Sequence, residues 1–402
     1  MNLQVFDKKQ MSGRQHFLTQ CVVRVGLACV LLTISTNSYA NEDQPGSNFD
    51  EQRDIGQLIQ QLGETSFEAR ERAANQLVEF GAAAESALSS QLKNPDPEIQ
   101  FRCRYILERI AVNKFEQRLV GFLAENGEKG DHQLPGWERF QKAYGTAKPA
   151  KELFVSMLRA EPDLIKALED NRQEVVGILS QRVTDQQQKM RFQQMTTLPT
   201  VATMLFLAGD EDVDVGQPAA QLITSFCYQP SFREGIAEGS PTREILQVML
   251  ERWLVRDNPV VMQQGMILSL QYDLPVGLKL AKRILQDDGG AKHMQMYALL
   301  ALAKLGKKDD AELLDLLKSK FEDKTLLSTT KINDQSIQTQ ARDIALVALL
   351  HLQELDLKKF GFENAQEQAM MLYAPHTLGF ENDEKRAVAF EKWKTFSEKD
   401  PK

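Results

Sequence analysis

The sequence predicts an all-α chain, an α-solenoid of stacked helical hairpins, and three observations lead there. Within Phe67 to Gly81, the residues Arg70, Arg72, Ala73 and Leu77 return thirty positions later as Gln100, Arg102, Cys103 and Leu107, with small and large apolar residues at the same helical offsets. Further on, Met262, Met266 and Leu270 are echoed by Met294, Ala298 and Leu302, and again by Ala341, Ala345 and Leu349. Repeats of 30 to about 47 residues in a helical pattern belong to hairpins that each bury their apolar side on the next. Finally, no segment sustains a period-two alternation, so essentially no sheet is expected.

The chain opens with features of an export signal. Lys8, Lys9 and Arg14 precede an apolar run from Val25 to Ile34, and Ser38-Tyr39-Ala40 places small residues at the −3 and −1 positions of a cleavage site. Residues 1–40 are therefore expected to be a signal peptide, with the mature chain starting at Asn41; Met11 is an alternative initiator. An apolar run of about ten residues covers roughly 15 Å of a hydrocarbon core about 30 Å thick, which favours removal over retention as an anchor. Cys29 follows Gly26-Leu27-Ala28, which fits a lipidation site only in its last two positions. No later run reaches the length of a membrane span, so no membrane insertion is expected after cleavage.

Residues 1–40 hold four basic side chains and one acidic one, so the remaining 44 Lys and Arg face 55 Asp and Glu, a net charge of −11. Nucleic-acid and anionic-membrane partners need clustered basic side chains to release counterions, and this balance argues against them. An exported acidic scaffold, periplasmic or secreted, is expected to meet a protein, a glycan or cations instead. Cys103 and Cys227 are the two thiols left after cleavage, too few for a disulfide framework. A hydrophobic content of 42% is ample for a long packed core.

Residues 41–50, with Pro45, Gly46 and Ser47, suit a flexible leader. The first helix spans about Gln52 to Leu62, where Ile55, Leu58, Ile59 and Leu62 take the i, i+3, i+4, i+7 spacing of an amphipathic helix. Thr65 or Ser66 caps the next, Gly81 ends it, and Ala82 to Leu92 begins a second hairpin. In Asn94-Pro95-Asp96-Pro97, Pro97 falls at the first helical position, where its missing N–H is harmless, and Asp96 stands ready to cap.

These residues resemble the HEAT-repeat family, specifically over Arg53 to Ile110 and more loosely over about Leu246 to Leu352. The resemblance implies a ladder between adjacent repeats, made by an Asp near the start of each second helix and an Arg three residues before the small buried one. Here the first repeat has Arg70 with Ser66 in the Asp place, and the second has Asp96 with Gln100 in the Arg place, so an Arg70 to Asp96 contact is expected. Arg342 takes the Arg place again, with Gln338 where its Asp would stand. Arg70, Asp96, Ala73, Cys103, Leu77 and Leu107 are accordingly expected to be structural.

This N-terminal repeat region, residues 51–125, ends at a Gly-rich linker, residues 126–136. The run Leu134-Pro-Gly-Trp-Glu-Arg-Phe, with Leu153-Phe-Val-Ser-Met and Glu161-Pro, looks like the segment that comes after the HEAT cap in exported bacterial proteins. Residues 137–396 are expected to be divergent HEAT-like repeats, with a tail at 397–402. Their helices are placed near 151–160, 162–168, 173–181, 186–194, 198–208, 217–228, 240–254, 259–271, 276–286 and 292–305. Further helices at 310–321, 336–354, 364–373 and 383–396 close the chain. Ser240-Pro241 is expected to start the helix at 240, and Glu322 to Asp334 to form a polar loop.

Catalytic and metal signals are sparse. His132, His293, His351 and His376 stand apart from one another and from both thiols, so no local zinc motif exists, and no cofactor is expected. Asp210, Asp212 and Asp214 alternate as a calcium loop begins, yet Val215 stands where the turning Gly belongs and Gln221 where the bidentate Glu belongs. Carboxylates also gather before a helix for the sake of its dipole. No Gly-x-Ser-x-Gly elbow or phosphate-binding Gly loop is present. Trp137 and His132 are the candidate partner-binding residues. The expectation is a non-catalytic scaffold for protein–protein interaction in the cell envelope, docking partners on the surface of its second helices. The alternatives are a glycan- or cation-binding envelope module, or an enzyme of the lyase type, since the resemblance extends to bilin lyases.

Overall fold

The computed structural model describes residues 47–124, 134–170, 172–256, 259–286, 292–332 and 334–399. The chain is mostly helical, and its compact units part between Val112 and Asn113. That boundary falls inside a helix, α4, rather than in the Gly-rich segment near residue 126. The expected signal peptide lies outside the described residues, and no described helix is long and apolar enough to cross a membrane.

The first unit holds α1 (Ser47–Gln61), α2 (Phe67–Phe80), α3 (Ala82–Ser90) and the start of α4 (Pro97–Ala124). α1 begins within the stretch expected to be leader. Ser66 caps α2, its side chain accepting from the backbone N–H of Ala69 at 3.4 Å. Gly81 ends α2 with φ of +55°, a conformation that asks for glycine. Asp96 Oδ1 accepts from the Glu98 N–H at 2.9 Å and so caps α4, where Pro97 is the first residue. Ile55, Leu62, Ala73, Leu77, Leu88, Cys103, Ile106 and Ile110 close the core. Leu107, the counterpart of Leu77 in the sequence echo, is only half-buried. The inward large side chain of α4 is Ile106, because the facing direction of α4 is shifted by one residue from that of α2.

The second unit continues through α5 (Trp137–Tyr144), α6 (Lys148–Ala160), α7 (Pro162–Asp170), α8 (Arg172–Arg191) and α9 (Leu198–Ala208). α8 is a single helix where two were expected, because no Pro or Gly interrupts residues 182–191. α10 (Gln217–Phe226), α11 (Pro230–Gly235), α12 (Arg243–Leu254) and α13 (Pro259–Tyr272) lie beyond it. α12 starts three residues after Ser240, since Thr242 Oγ1 is held by the Gly235 carbonyl at 2.8 Å and Ser240 Oγ by Thr242, which makes a turn of the expected first turn. α14 (Val276–Gln286), α15 (Lys292–Leu305), α16 (Ala311–Ser319) and α17 (Ala341–Leu352) come next, and α18 (Asp383–Lys399) comes last. The three helices that echo one another pack in chain order, α13 on α15 and α15 on α17. Met266, Leu270, Met294, Ala298, Leu302, Ala341, Ala345 and Leu349 are all buried.

The expectation of no sheet fails in two places. Leu326–Ile332 (β1) and Gln335–Gln340 (β2) form an antiparallel hairpin inside what reads as a polar loop and the start of a helix. Ile337 and Thr339 are buried while Ser336 and Gln338 point out, a period-two pattern too short and too polar to stand out in the sequence. Asp334 takes φ of +61°, as tight hairpin turns demand. Gln338 and Phe380 then exchange both backbone hydrogen bonds, at 2.9 and 3.1 Å. That close approach needs Gly379, where an added Cβ would lie 2.3 Å from the Gln338 carbonyl oxygen. Second, Glu367–Gln368 (β3) pairs with Leu372–Tyr373 (β4) where a helix was expected. Lys304 secures that segment, its ammonium donating to the carbonyls of Leu270, Ala369 and Met370 at 2.7, 3.2 and 3.0 Å.

Candidate functional site

α2 and α4 run side by side, as three contacts between them record. Arg102 reaches Glu71 at 2.8 Å, Arg109 Nη1 donates to Asn75 Oδ1 at 3.0 Å, and Arg70 Nε lies 3.1 Å from Glu98. Arg102 also holds Glu98 at 2.7 Å, one helical turn away. On α4, Phe101, Tyr105 and Val112 are separated by four and seven residues and so share one face. That face looks to solvent: Phe101 is 64%, Tyr105 48% and Val112 60% exposed, and Phe67 on α2 is 63% exposed. Single exposed apolar side chains are ordinary; four in one small unit, two of them on adjoining turns, form a patch.

Guanidiniums cover the rings. Arg70 and Arg102 sit 5.8 and 6.0 Å from the Phe67 ring centre, and Arg109 sits 5.7 Å from that of Tyr105. Burial lowers the Arg102 pKa more than any single contact raises it, yet the hydrogen bonds and charges of Glu71 and Glu98 together hold it above its ordinary value. Arg72 and Arg104 are exposed and make no ion pair among the described residues. The result is a surface of aromatic rings and planar cations, side chains that dominate binding energy at protein interfaces and are already held in place by their neighbours.

Of the residues singled out in the sequence, Ala73, Leu77 and Cys103 are fully buried. Arg70 and Asp96 do not pair: the Asp96 carboxylate is engaged in capping α4, and Arg70 Nη1 donates to the carbonyls of Glu64 and Thr65 at 2.7 and 3.1 Å. Trp137 is no free anchor. Its ring packs among those of Phe122, Phe140 and Phe154 at 4.7, 5.8 and 5.1 Å, half-buried where α5 meets Phe122 of α4 and Phe154 of α6. His132 lies outside the described residues. His293 and His376 are exposed, while His351 Nδ1 meets the Tyr373 hydroxyl at 3.1 Å, and burial lowers its pKa.

Asp210 opens a turn closed by the Val213 N–H on its carbonyl at 3.1 Å, and Val213 and Val215, on either side of Asp214, are buried. Asp210 is held by Arg139 at 2.7 Å, and its Oδ1 accepts from the Asp212 N–H at 3.0 Å. Among the described residues no group of three His, Cys, Asp or Glu side chains is placed to hold a metal ion.

Two buried polar networks escaped the sequence. Glu161 accepts from Arg182 at 2.7 and 2.9 Å and from the Thr200 hydroxyl at 2.9 Å. Asp343 accepts from Arg386 Nε at 2.7 Å and from the Gln340 N–H at 2.8 Å. Side-chain partners 21 to 43 residues apart leave no local spacing to recognise. The exposed face of α4 did leave a signal, because its apolar residues fall all round the helix, more than one buried stripe requires.

Burial pushes the Cys103 thiol up to about 11 and Cys227 higher still. Neither thiol is expected to react with an aromatic disulfide reagent at pH 8 until the chain is unfolded, because the thiolate is the reacting species. Stoichiometric labelling of the native protein at either position would show that its surroundings open.

No family model, curated protein or solved structure matches this chain.

Proposed function

We propose that this protein is an exported, non-catalytic scaffold of HEAT-like hairpins that binds a protein partner through the α2–α4 face. The observation that carries the reading is the exposed row of Phe67, Phe101 and Tyr105, with arginines laid over the Phe67 and Tyr105 rings. An apolar surface left open on a unit that otherwise closes its core is where a partner gains most from burial. Support for the repeat architecture comes from the packing of α13, α15 and α17, whose sequences echo one another. The buried groups around Glu161 and Asp343 bond to one another and are not directed at a bound molecule, which favours a binding role over a catalytic one.

The test is a triple substitution, Phe67→Ser, Phe101→Ser and Tyr105→Ser. All three side chains are exposed, so the thermal midpoint is expected to stay within a few degrees. Proteins captured from envelope extract by the parent chain are expected to be lost with the variant. An identical captured set would remove this face from the proposal.

A further inference from the structure

Between α5, the end of α9 and α12 lies a cleft of about 710 Å³, within the range of roughly 300–1,000 Å³ typical of small-ligand sites. Its floor is aromatic: the rings of Tyr144 and Phe206 meet edge to face at 6.0 Å. One wall is held rigid, since Asp210 is bonded to Arg139 at 2.7 Å and its carbonyl, with that of Ala208, accepts from Arg256 at 2.6 and 2.7 Å. Arg139 also lies 3.7 Å from Asp212, so this wall neutralises much of its own charge.

Four charges around the cleft remain. Glu138 and Glu211 are exposed and make no ion pair among the described residues; Lys142 is in the same position, and the exposed Arg252 lines the cleft beside Tyr144. The lining as a whole, four carboxylates and three cations, presents both signs around the aromatic floor, so a ligand of a single sign meets repulsion as well as attraction. A molecule bearing both charges satisfies both signs.

We propose that this cleft binds a short zwitterionic peptide. Its terminal carboxylate is held by Arg252 and Lys142, its terminal ammonium by Glu211 and Glu138, and its side chains rest on Tyr144 and Phe206. Burial pushes the Tyr144 hydroxyl up to about 12, so it stays protonated and offers a hydrogen bond to the peptide. The cleft belongs to the second unit and the inference stands apart from the docking face on α2 and α4.

The test uses the full chain and three probes, tri-alanine, N-acetyl-tri-alanine and tri-alanine amide, titrated by calorimetry and by thermal shift. Tri-alanine is expected to bind and raise the midpoint. Each blocked form is expected to bind about tenfold more weakly or worse, because each loses one charge-assisted contact. Arg252→Gln is expected to weaken tri-alanine by a similar factor while leaving the amide unchanged, and Glu211→Gln to do the same with respect to the acetylated form. No binding of tri-alanine up to its solubility limit would overturn the proposal, as would equal affinities for the free and blocked peptides.

Discussion

Arg386→Met is expected to destabilise the second unit by about 3–5 kcal/mol at pH 7, the loss typical when one partner of a buried ion pair is removed. Arg386 and Asp343 are both almost wholly buried, with Arg386 Nε 2.7 Å from the carboxylate. Arg386 also donates to Asp383 and to the Gln338 carbonyl, and its guanidinium lies over the Phe380 ring at 5.6 Å. It therefore ties α18 to α17 and to the β-hairpin at once. Asp343 completes a capping box with Gln340 at the start of α17. The methionine keeps the packing volume of the arginine stem and leaves the carboxylate without its cation, so the loss reports the charge and not a cavity.

The pH dependence separates this from a packing defect. Burial pushes the Asp343 carboxyl up from 3.8 to about 6, against the pull of Arg386. A folded-state pKa above the unfolded one means that folding takes up a proton. The stabilisation from this group is therefore fully present below about pH 3.8 and is lost as pH rises through about 6. Without Arg386 the carboxyl rises further, so the deficit of Arg386→Met is expected to shrink on going from pH 7 to pH 5. Asp343→Asn, which cannot titrate, is expected to abolish that change. Urea denaturation followed by circular dichroism reads all three; a deficit independent of pH would show that the pair is not the source.

Leu77→Asp is expected to unfold the first unit or come close to it. Removing a buried leucine alone costs about 2–5 kcal/mol, and placing a carboxylate with no partner in the site adds several more. Ile106→Asp is expected to match it, since Ile106 is equally buried. Leu107→Asp is expected to cost only about 1 kcal/mol, as its half-buried position lets the carboxylate turn to water. The ordering matters more than the magnitudes. The repeat echo alone makes Leu107 the equal of Leu77, and the packing of α4 transfers that role to Ile106, so melting curves for the three variants decide between the two registers.

Much of the helical content was legible because it depends on short-range patterns. Ser66, Gly81 and Pro97 mark helix ends through backbone chemistry within a few residues of themselves, and the spacing of Met266, Leu270, Met294 and Ala298 names the inward sides directly. The β1–β2 hairpin was not legible: Ile337 and Thr339 are a short alternation among polar residues, and the hairpin is stabilised by the bridge to Phe380, forty-two residues from Gln338. Trp137 is a similar case, since its residue type suits an interface, and only the arrival of Phe122 and Phe154 from neighbouring helices packs it against the core.

By itself the chain determined its helical class, the caps and ends of many helices, and many of the small and large residues that face inward, because each of these is set by neighbours within about one or two turns. The tertiary structure decided the rest. It chose which of two adjacent apolar residues on α4 is buried, paired Arg386 with Asp343, withdrew Asp96 from Arg70, and left Phe101 and Tyr105 facing water. The first two depend on the distance and angle between helices far apart in sequence and leave no local spacing to read, whereas the Asp96 cap and the all-round apolar pattern of α4 are local features of the chain.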